Sequence, residues 1–232
     1  MNDDSRPLPR DQAAAIARAF LPRHALGNRW DYYYVRGKLA SDPLYPGVLQ
    51  ALRGSGAPLL DLGCGLGLLA HALRQDGQSM PYRGVDNDAG KIRRAQRAAV
   101  TAGLSSAQFD FVDLAHDLPR HQGSVAILDV LQYLPAPAQQ RLLDAAIAML
   151  SPGARLVIRA ALVDGSRRGR ISRISDHAAN LVGWMQSAPR CYPQADRLRS
   201  TLEDAGLQVA FAPLYGRTPF NNWMVVAERA AS

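Results

Sequence analysis

The hydrophobic pattern changes character near residue 58. Before it, a polar arm over residues 1–10 gives way to the alanine-rich DQAAAIARAF and the aromatic WDYYYVRGKL, and residues 11–52 read as helices and loops. From Pro58 onward, short apolar runs alternate with longer amphipathic stretches, the pattern of βαβ units and a parallel sheet. Strands are expected at 58–62 (PLLDL), 81–86 (PYRGVD), 107–112 (AQFDFV), 124–129 (SVAILD) and 154–162 (ARLVIRAAL). Helices are expected between them: Leu66 to Gln75, a second starting at Asp88 as N-cap, and a third opened by Pro137 in its first turn and ended by the SPG of 151–153. A fourth, QADRLRSTLEDAG, stops at Gly206, and two more strands follow, LQVAFAPL and NWMVVAE. The rhythm breaks over 164–190, where Ile171, Ile174, Ala178, Leu181, Val182 and Met185 recur at helical spacing and predict an inserted helix behind Arg167, Arg168, Arg170 and Arg173. The division expected is an N-terminal helical extension over 1–57 and one α/β domain over 58–232 with the insertion 164–190.

The first strand runs into LLDLGCGLG, residues 59–67. Gly63, Gly65 and Gly67 let the backbone turn sharply and approach a ligand, and the helix behind them offers unbonded N–H groups. A dinucleotide fingerprint requires another glycine three positions after the second, and this chain has Leu68 there. Asp61 at the strand end would also repel a pyrophosphate and suits a ligand carrying an amino group. Asp86 follows Gly67 by 19 residues and ends the second strand, where a carboxylate can accept both hydroxyls of a ribose. Asp113 lies just past the third strand and can accept from an adenine amino group, with Leu114 beside it.

Taken in order, LLDLGCGLG, GVDND, FVDLAHDLP and VAILDVLQYLP resemble the successive motifs of class I S-adenosylmethionine-dependent methyltransferases, over about residues 58–160. The resemblance implies a Rossmann-like, seven-stranded, mostly parallel sheet with helices on both faces and an antiparallel C-terminal hairpin. It implies S-adenosylmethionine as cofactor and S-adenosylhomocysteine as product. By position, Asp61 and the turn Gly63–Cys64–Gly65–Gly67 would hold the methionine end, Asp86 and Asn87 the ribose, and Asp113 and Leu114 the adenine. Asp129 would lie beside the sulfonium, or else cap the segment after it. Arg36 is a candidate for the cofactor carboxylate. The N-terminal GNRWDYYYVRGKLASDPLY loosely resembles methyltransferases of bacterial polyketide-type and aryl-polyene pathways, and so of secondary metabolism.

Ligands of parallel α/β sheets bind outside the carboxyl ends of the strands. The connection between the last two strands then falls on that side, which makes Tyr215, Arg217, Phe220, Asn221 and Asn222 acceptor-site candidates, although Pro219 and the asparagines also suit a turn. Tyr33, Tyr133 and Trp184 join them as aromatic candidates. Among the five histidines, His177 in the insertion is the candidate general base, His116 and His121 flank the loop after the third strand, and His71 is expected at the surface of its helix.

Composition narrows the partners. The net charge is +7 and the isoelectric point about 9.8. Apart from Lys38 and Lys91 the cations are arginines. A basic surface suits an acidic carrier protein, anionic lipid or nucleic acid. Two cysteines form neither a disulfide framework nor a zinc pattern, and no apolar run approaches the ~20 residues of a membrane span. The expectation is a cytoplasmic enzyme that methylates a hydroxyl or carboxyl of a hydrophobic, aromatic or carrier-bound small molecule, with no DNA partner. Two other readings stay open: an RNA methyltransferase, though DVLQYL stands where an exocyclic-nitrogen enzyme would carry D/N-P-P-Y/F, and a non-catalytic cofactor-binding protein that keeps only the fold.

Overall fold

The computed structural model describes residues 6–24, 26–163, 191–216 and 221–229. Seven strands form one sheet in the order β3-β2-β1-β4-β5-β7-β6. They are β1 (Leu59–Leu62), β2 (Tyr82–Asp86), β3 (Ala107–Phe111), β4 (Ser124–Leu128), β5 (Arg155–Ala161), β6 (Leu207–Pro213) and β7 (Asn222–Arg229). All neighbours pair in parallel except β7, which is antiparallel to both β5 and β6. This is the Rossmann-like fold with an antiparallel C-terminal hairpin expected from the sequence. Because β7 begins at Asn222 opposite Ala161, the β6–β7 connection lies at the carboxyl ends of the parallel strands.

The helices among the described residues are α1 (Arg10–Ala17), α2 (Trp30–Ser41), α3 (Leu44–Leu52), α4 (Leu68–Gln75), α5 (Ala89–Thr101), α6 (Ala136–Ala148) and α7 (Ala195–Asp204). Asp88 caps α5 as expected, its carboxylate accepting from Gly90 N–H at 2.8 Å and Lys91 N–H at 3.0 Å. The inserted helix, its arginines, His177, Trp184, Arg217 and Phe220 lie outside the described residues.

Alternation along β1, β4 and β5 divides the core. Leu60, Leu62, Val125, Ile127, Leu156 and Ile158 face α6 and α7, while Leu59, Ala126 and Val157 face the N-terminal helices, α4 and α5. Ile16, Val35, Leu39, Val48 and Leu52 belong to that second cluster, so the first fifty residues help build the core of the sheet domain. Their packing overturns the expectation for His71. It is 3% exposed, its ring 5.1 Å from that of Phe20, and burial pulls its pKa down to about 4. The cause is α4 itself, which runs between the sheet and the N-terminal layer and is wrapped on both sides.

The phase of α2 decides what reaches the carboxyl ends of the strands. Val35 and Leu39 are buried and fix its inner face. Asp31, Tyr34 and Lys38 lie beside them at helical spacing. Asp31 accepts from Arg94 of α5 at 2.7 Å, and Lys38 pairs with Asp42 at 2.6 Å. The helix is thereby tied at one end to α5 and at the other to the α2–α3 junction.

Candidate functional site

The turn after β1 adopts left-handed backbone at all three glycines, with φ of +83° at Gly63, +57° at Gly65 and +72° at Gly67. Their surroundings differ. A Cβ on Gly63 would meet Val130 Cγ2 at 2.4 Å, and one on Gly67 would meet Phe109 Cε1 at 2.3 Å. A Cβ on Gly65 would meet nothing within 4 Å. Two glycines are therefore demanded by packing, and the middle one faces open space. Cys64 turns inward, its Cβ and Sγ each 2.8 Å from a Cβ built on Gly84, and burial pushes its thiol well above the usual range. Any ligand contact from Cys64 is left to its backbone.

Asp86 closes the turn from β2. Its Oδ2 accepts from Gly65 N–H at 2.9 Å and its Oδ1 from Asp88 N–H at 2.9 Å. A carboxylate has about four acceptor positions, so each oxygen keeps one for a ligand. Asn87, next to it, is exposed.

Asp61 is 2% exposed. Its Oδ2 accepts from the Tyr82 hydroxyl at 2.6 Å, and its Oδ1 is buried without a partner among the described residues. Burial raises its pKa to about 7; the Tyr82 hydrogen bond works against that and the negative charge of Asp86 adds to it. No cation among the described residues acts on Asp61. Two carboxylates, one with an orphaned oxygen, thus border one glycine turn.

Asp129 leaves β4 with φ of +60°, next to Val130, which packs on Gly63. It caps neither the short 3₁₀ turn Leu131–Tyr133 nor α6, since neither has a side-chain cap bond. Its carboxylate accepts instead from Arg159 Nη1. Arg159, on β5 and 4% exposed, also donates Nη2 to Asp42 at 3.2 Å, completing an alternating chain Lys38–Asp42–Arg159–Asp129. Burial raises the Asp42 pKa, but the charges of Arg159 and Lys38 outweigh it and hold the carboxyl below its ordinary value. Burial lowers the Lys38 pKa, but Asp42 and Asp129 outweigh it and keep the ammonium above its ordinary value. A buried ion chain adds little net stability, because desolvating the charges offsets their attraction. Its effect here is geometric, since it fixes α2, the β4 exit and β5 relative to one another. The sequence reading missed Lys38, Asp42 and Arg159; an arginine inside the otherwise apolar LVIRAA is the signal that a buried partner must exist.

The remaining candidates lie after β3 and β4, in the β6–β7 hairpin and on α2. Asp113 accepts from Ala115 N–H at 3.0 Å and His116 Nδ1 at 2.9 Å, which together hold its pKa below the ordinary value and tie both its oxygens to its own turn. Leu114 packs on the core cluster that faces α6 and α7. Tyr133 is half-buried in the 3₁₀ turn after β4. Tyr215 meets Trp223 edge-on at 5.9 Å. Asn221 is fully buried, with Nδ2 donating to Leu162 O at 2.8 Å, and the backbone oxygen of Asn222 accepts from Leu214 N–H at 2.8 Å; both asparagines hold the hairpin to β5 and β6. Tyr33 and Arg36 are exposed, on the faces of α2 turned away from Val35 and Leu39.

A family model described as a methyltransferase domain matches residues 34–210. The ubiquinone biosynthesis O-methyltransferase of Xylella fastidiosa (strain 9a5c) is 32% identical over 109 residues, which are 45% of this chain and 42% of that protein. The chain thus spans less than half the length of that relative. Among solved structures, the pyocyanin biosynthetic protein PhzM superposes with a TM-score of 0.65 at 19% identity, covering 93% of this chain and 62% of that one. Magnesium protoporphyrin IX methyltransferase (ChlM) from Synechocystis PCC 6803, with bound SAH, superposes with a TM-score of 0.63 at 18% identity, covering 95% and 98%.

Proposed function

The chain belongs to the methyltransferase domain family, and on that premise we propose that it transfers a methyl group from S-adenosylmethionine to a small-molecule acceptor. The observation that carries this reading is the pair Asp61 and Asp86 beside Gly65, with Asp61 Oδ1 buried and unpartnered among the described residues. S-adenosylmethionine brings positive charge at its ammonium and sulfonium. The residues present fit it. The orphaned Asp61 Oδ1 matches an ammonium donor, the space over Gly65 admits a ligand against the backbone, and Asp86 keeps acceptor positions for ribose hydroxyls.

On this reading Asp61 and the turn Gly63–Gly67, with Cys64 through its backbone, hold the methionine end. Asp86 and Asn87 hold the ribose, and Asp113 and Leu114 flank the adenine. Asp129 lies beside the reacting end, and Arg36 is the candidate for the cofactor carboxylate. When bound, the cofactor supplies a methyl group already activated by the adjoining positive sulfur, and it leaves as S-adenosylhomocysteine. The work left to this chain is alignment and exclusion of water. A base is needed at the acceptor atom only where that atom carries a proton to lose, and His177 is the candidate.

For the acceptor we propose a hydroxyl or carboxyl of a hydrophobic, aromatic or carrier-bound metabolite. The O-methyltransferase relatives support the oxygen, and Tyr133, after β4, and Tyr215, after β6, are the aromatic candidates for holding it. No helix among the described residues is long and apolar enough to cross a membrane, and an enzyme of the cytoplasm acting on a small molecule, without DNA, is the setting we propose. The test is transfer of a labelled methyl group from S-adenosylmethionine to a panel of hydroxylated aromatic acids, free and carrier-linked, with bulk RNA run in parallel. Label in a small acceptor, with an equal yield of S-adenosylhomocysteine, is expected. Label in RNA alone overturns the small-molecule reading.

A further inference from the structure

Large apolar side chains exposed on this protein are unevenly placed. Leu21 (42%), Leu26 (101%), Trp30 (60%), Tyr33 (58%) and Tyr34 (41%) all fall within fourteen residues; among the described residues only Val100 and Phe111 lie elsewhere. Trp30 and Tyr33 are three apart on α2, and Gly37, four further on, faces open space, so one side of the helix presents two aromatic rings unobstructed. Tyr33 is braced edge-on by Tyr32 at 5.1 Å. The opposite side of the same helix carries Asp31 and Lys38, already engaged by Arg94 and Asp42.

Charge around this ledge has one sign. Between Arg18 and Lys38 the chain carries Arg18, Arg23, Arg29 and Arg36, all exposed, and its one acidic residue is Asp31, which Arg94 holds at 2.7 Å. Arg93 and Arg97 are exposed on α5, which packs against the 3₁₀ turn Arg18–Phe20. The chemistry is that of an interfacial segment: leucines that gain by leaving water, tryptophan and tyrosine with one apolar and one polar side, and arginines that seek phosphate. A protein partner with a matching acidic surface would suit the positive charge, but not Leu26, which projects wholly into solvent.

We propose that residues 21–24 and 26–29 and the outer face of α2 form a docking surface for an anionic lipid bilayer. Leu21, Leu26, Trp30 and Tyr33 enter the interfacial layer, and Arg18, Arg23, Arg93 and Arg97 meet lipid phosphates. The inner face of α2 is tied through Asp42 and Arg159 to the β4 exit, so a docked molecule holds the opening of its site beside the membrane. What docking would accomplish rests on the methyl-transfer reading, for it would let an apolar acceptor reach the site without crossing water.

The full chain is floated with vesicles of phosphatidylcholine alone and of phosphatidylcholine with phosphatidylglycerol, in low and high salt. Binding to the anionic vesicles is expected, reduced by salt, with a blue shift of tryptophan emission. The exposed-site variants Leu26→Asp and Trp30→Ser are expected to retain the wild-type melting temperature and S-adenosylmethionine affinity while vesicle affinity falls at least about tenfold. Absence of binding to anionic vesicles, equal binding by the variants, or binding to an acidic carrier protein in place of vesicles overturns the proposal. Vesicle binding without any S-adenosylmethionine binding would remove the methyl-transfer reading and leave the docking surface standing.

Discussion

Replacing Gly65 and Gly67 singly with alanine separates a ligand-facing glycine from a packing glycine. Both have left-handed backbone, at +57° and +72°, so each alanine costs about 1–2 kcal/mol of folding free energy. At Gly65 the added methyl meets no protein atom within 4 Å and that cost stands alone, a fall in melting temperature of roughly 2–8 °C for a domain of this size. At Gly67 the methyl would sit 2.3 Å from Phe109. Overpacking of this kind adds about 1–3 kcal/mol, for a fall of roughly 4–20 °C. Cofactor binding follows the opposite order. The Gly65 methyl occupies the space assigned to the ligand, and an obstruction of about 1–3 kcal/mol weakens affinity by about fivefold to 150-fold. Thermal melts and calorimetric titration of both variants provide the readouts. A Gly65→Ala protein that binds S-adenosylmethionine like the wild type, or that is as unstable as Gly67→Ala, would refute the assignment of Gly65 to the ligand.

Other consequences follow from the buried charges. An acid with a folded pKa of about 7 and an ordinary value of 3.8 binds more protons folded than unfolded between those values, so its contribution to stability falls as pH rises through that window, by about 4 kcal/mol in total. Asp61→Asn is therefore expected to melt higher than the wild type at pH 8 without ligand, yet to bind S-adenosylmethionine more weakly; a lower melting temperature at that pH contradicts the argument. A ligand cation beside Asp61 favours its ionised form, so wild-type affinity rises with pH by up to about tenfold per unit below pH 7 and levels off above it; a flat titration-derived affinity from pH 5.5 to 8 excludes contact with Asp61. Asp86→Ala removes the ribose acceptor and weakens S-adenosylmethionine by about 1–3 kcal/mol, and unchanged affinity sinks that assignment. Asp42→Asn leaves the buried Arg159 and Lys38 short of a counter-charge and destabilises the fold by about 3–5 kcal/mol; a loss below 1 kcal/mol in denaturant titration would show that the chain of charges does not hold α2 in place.

The strands and the glycine turn were legible because each is written locally, in a hydrophobic period or a run of spaced glycines. The features missed depend on partners far away in sequence. Three consecutive tyrosines blur the period of α2, and only the buried pair Val35 and Leu39 fixes its phase and so places Lys38 beside Asp42. His71 looked solvated on the evidence of its own helix, but α1 and the turn after it cover that face. Arg159 could have been flagged as a charge in a central strand, whereas its partners Asp42 and Asp129 lie 117 and 30 residues away and only the fold brings them together. The bonds that orient Asp113, from Ala115 N–H and His116 Nδ1, come from its own turn and leave each oxygen one acceptor position.

Calorimetric titration of the purified protein with S-adenosylmethionine, S-adenosylhomocysteine and NADH tests most directly whether the turn Gly63–Gly67, with Asp61 and Asp86, holds S-adenosylmethionine. One site of micromolar affinity for S-adenosylmethionine is expected, with weaker binding of S-adenosylhomocysteine, which lacks the sulfonium charge, and no binding of NADH. Binding of NADH, or no heat with S-adenosylmethionine from pH 7 to 8, would contradict that assignment.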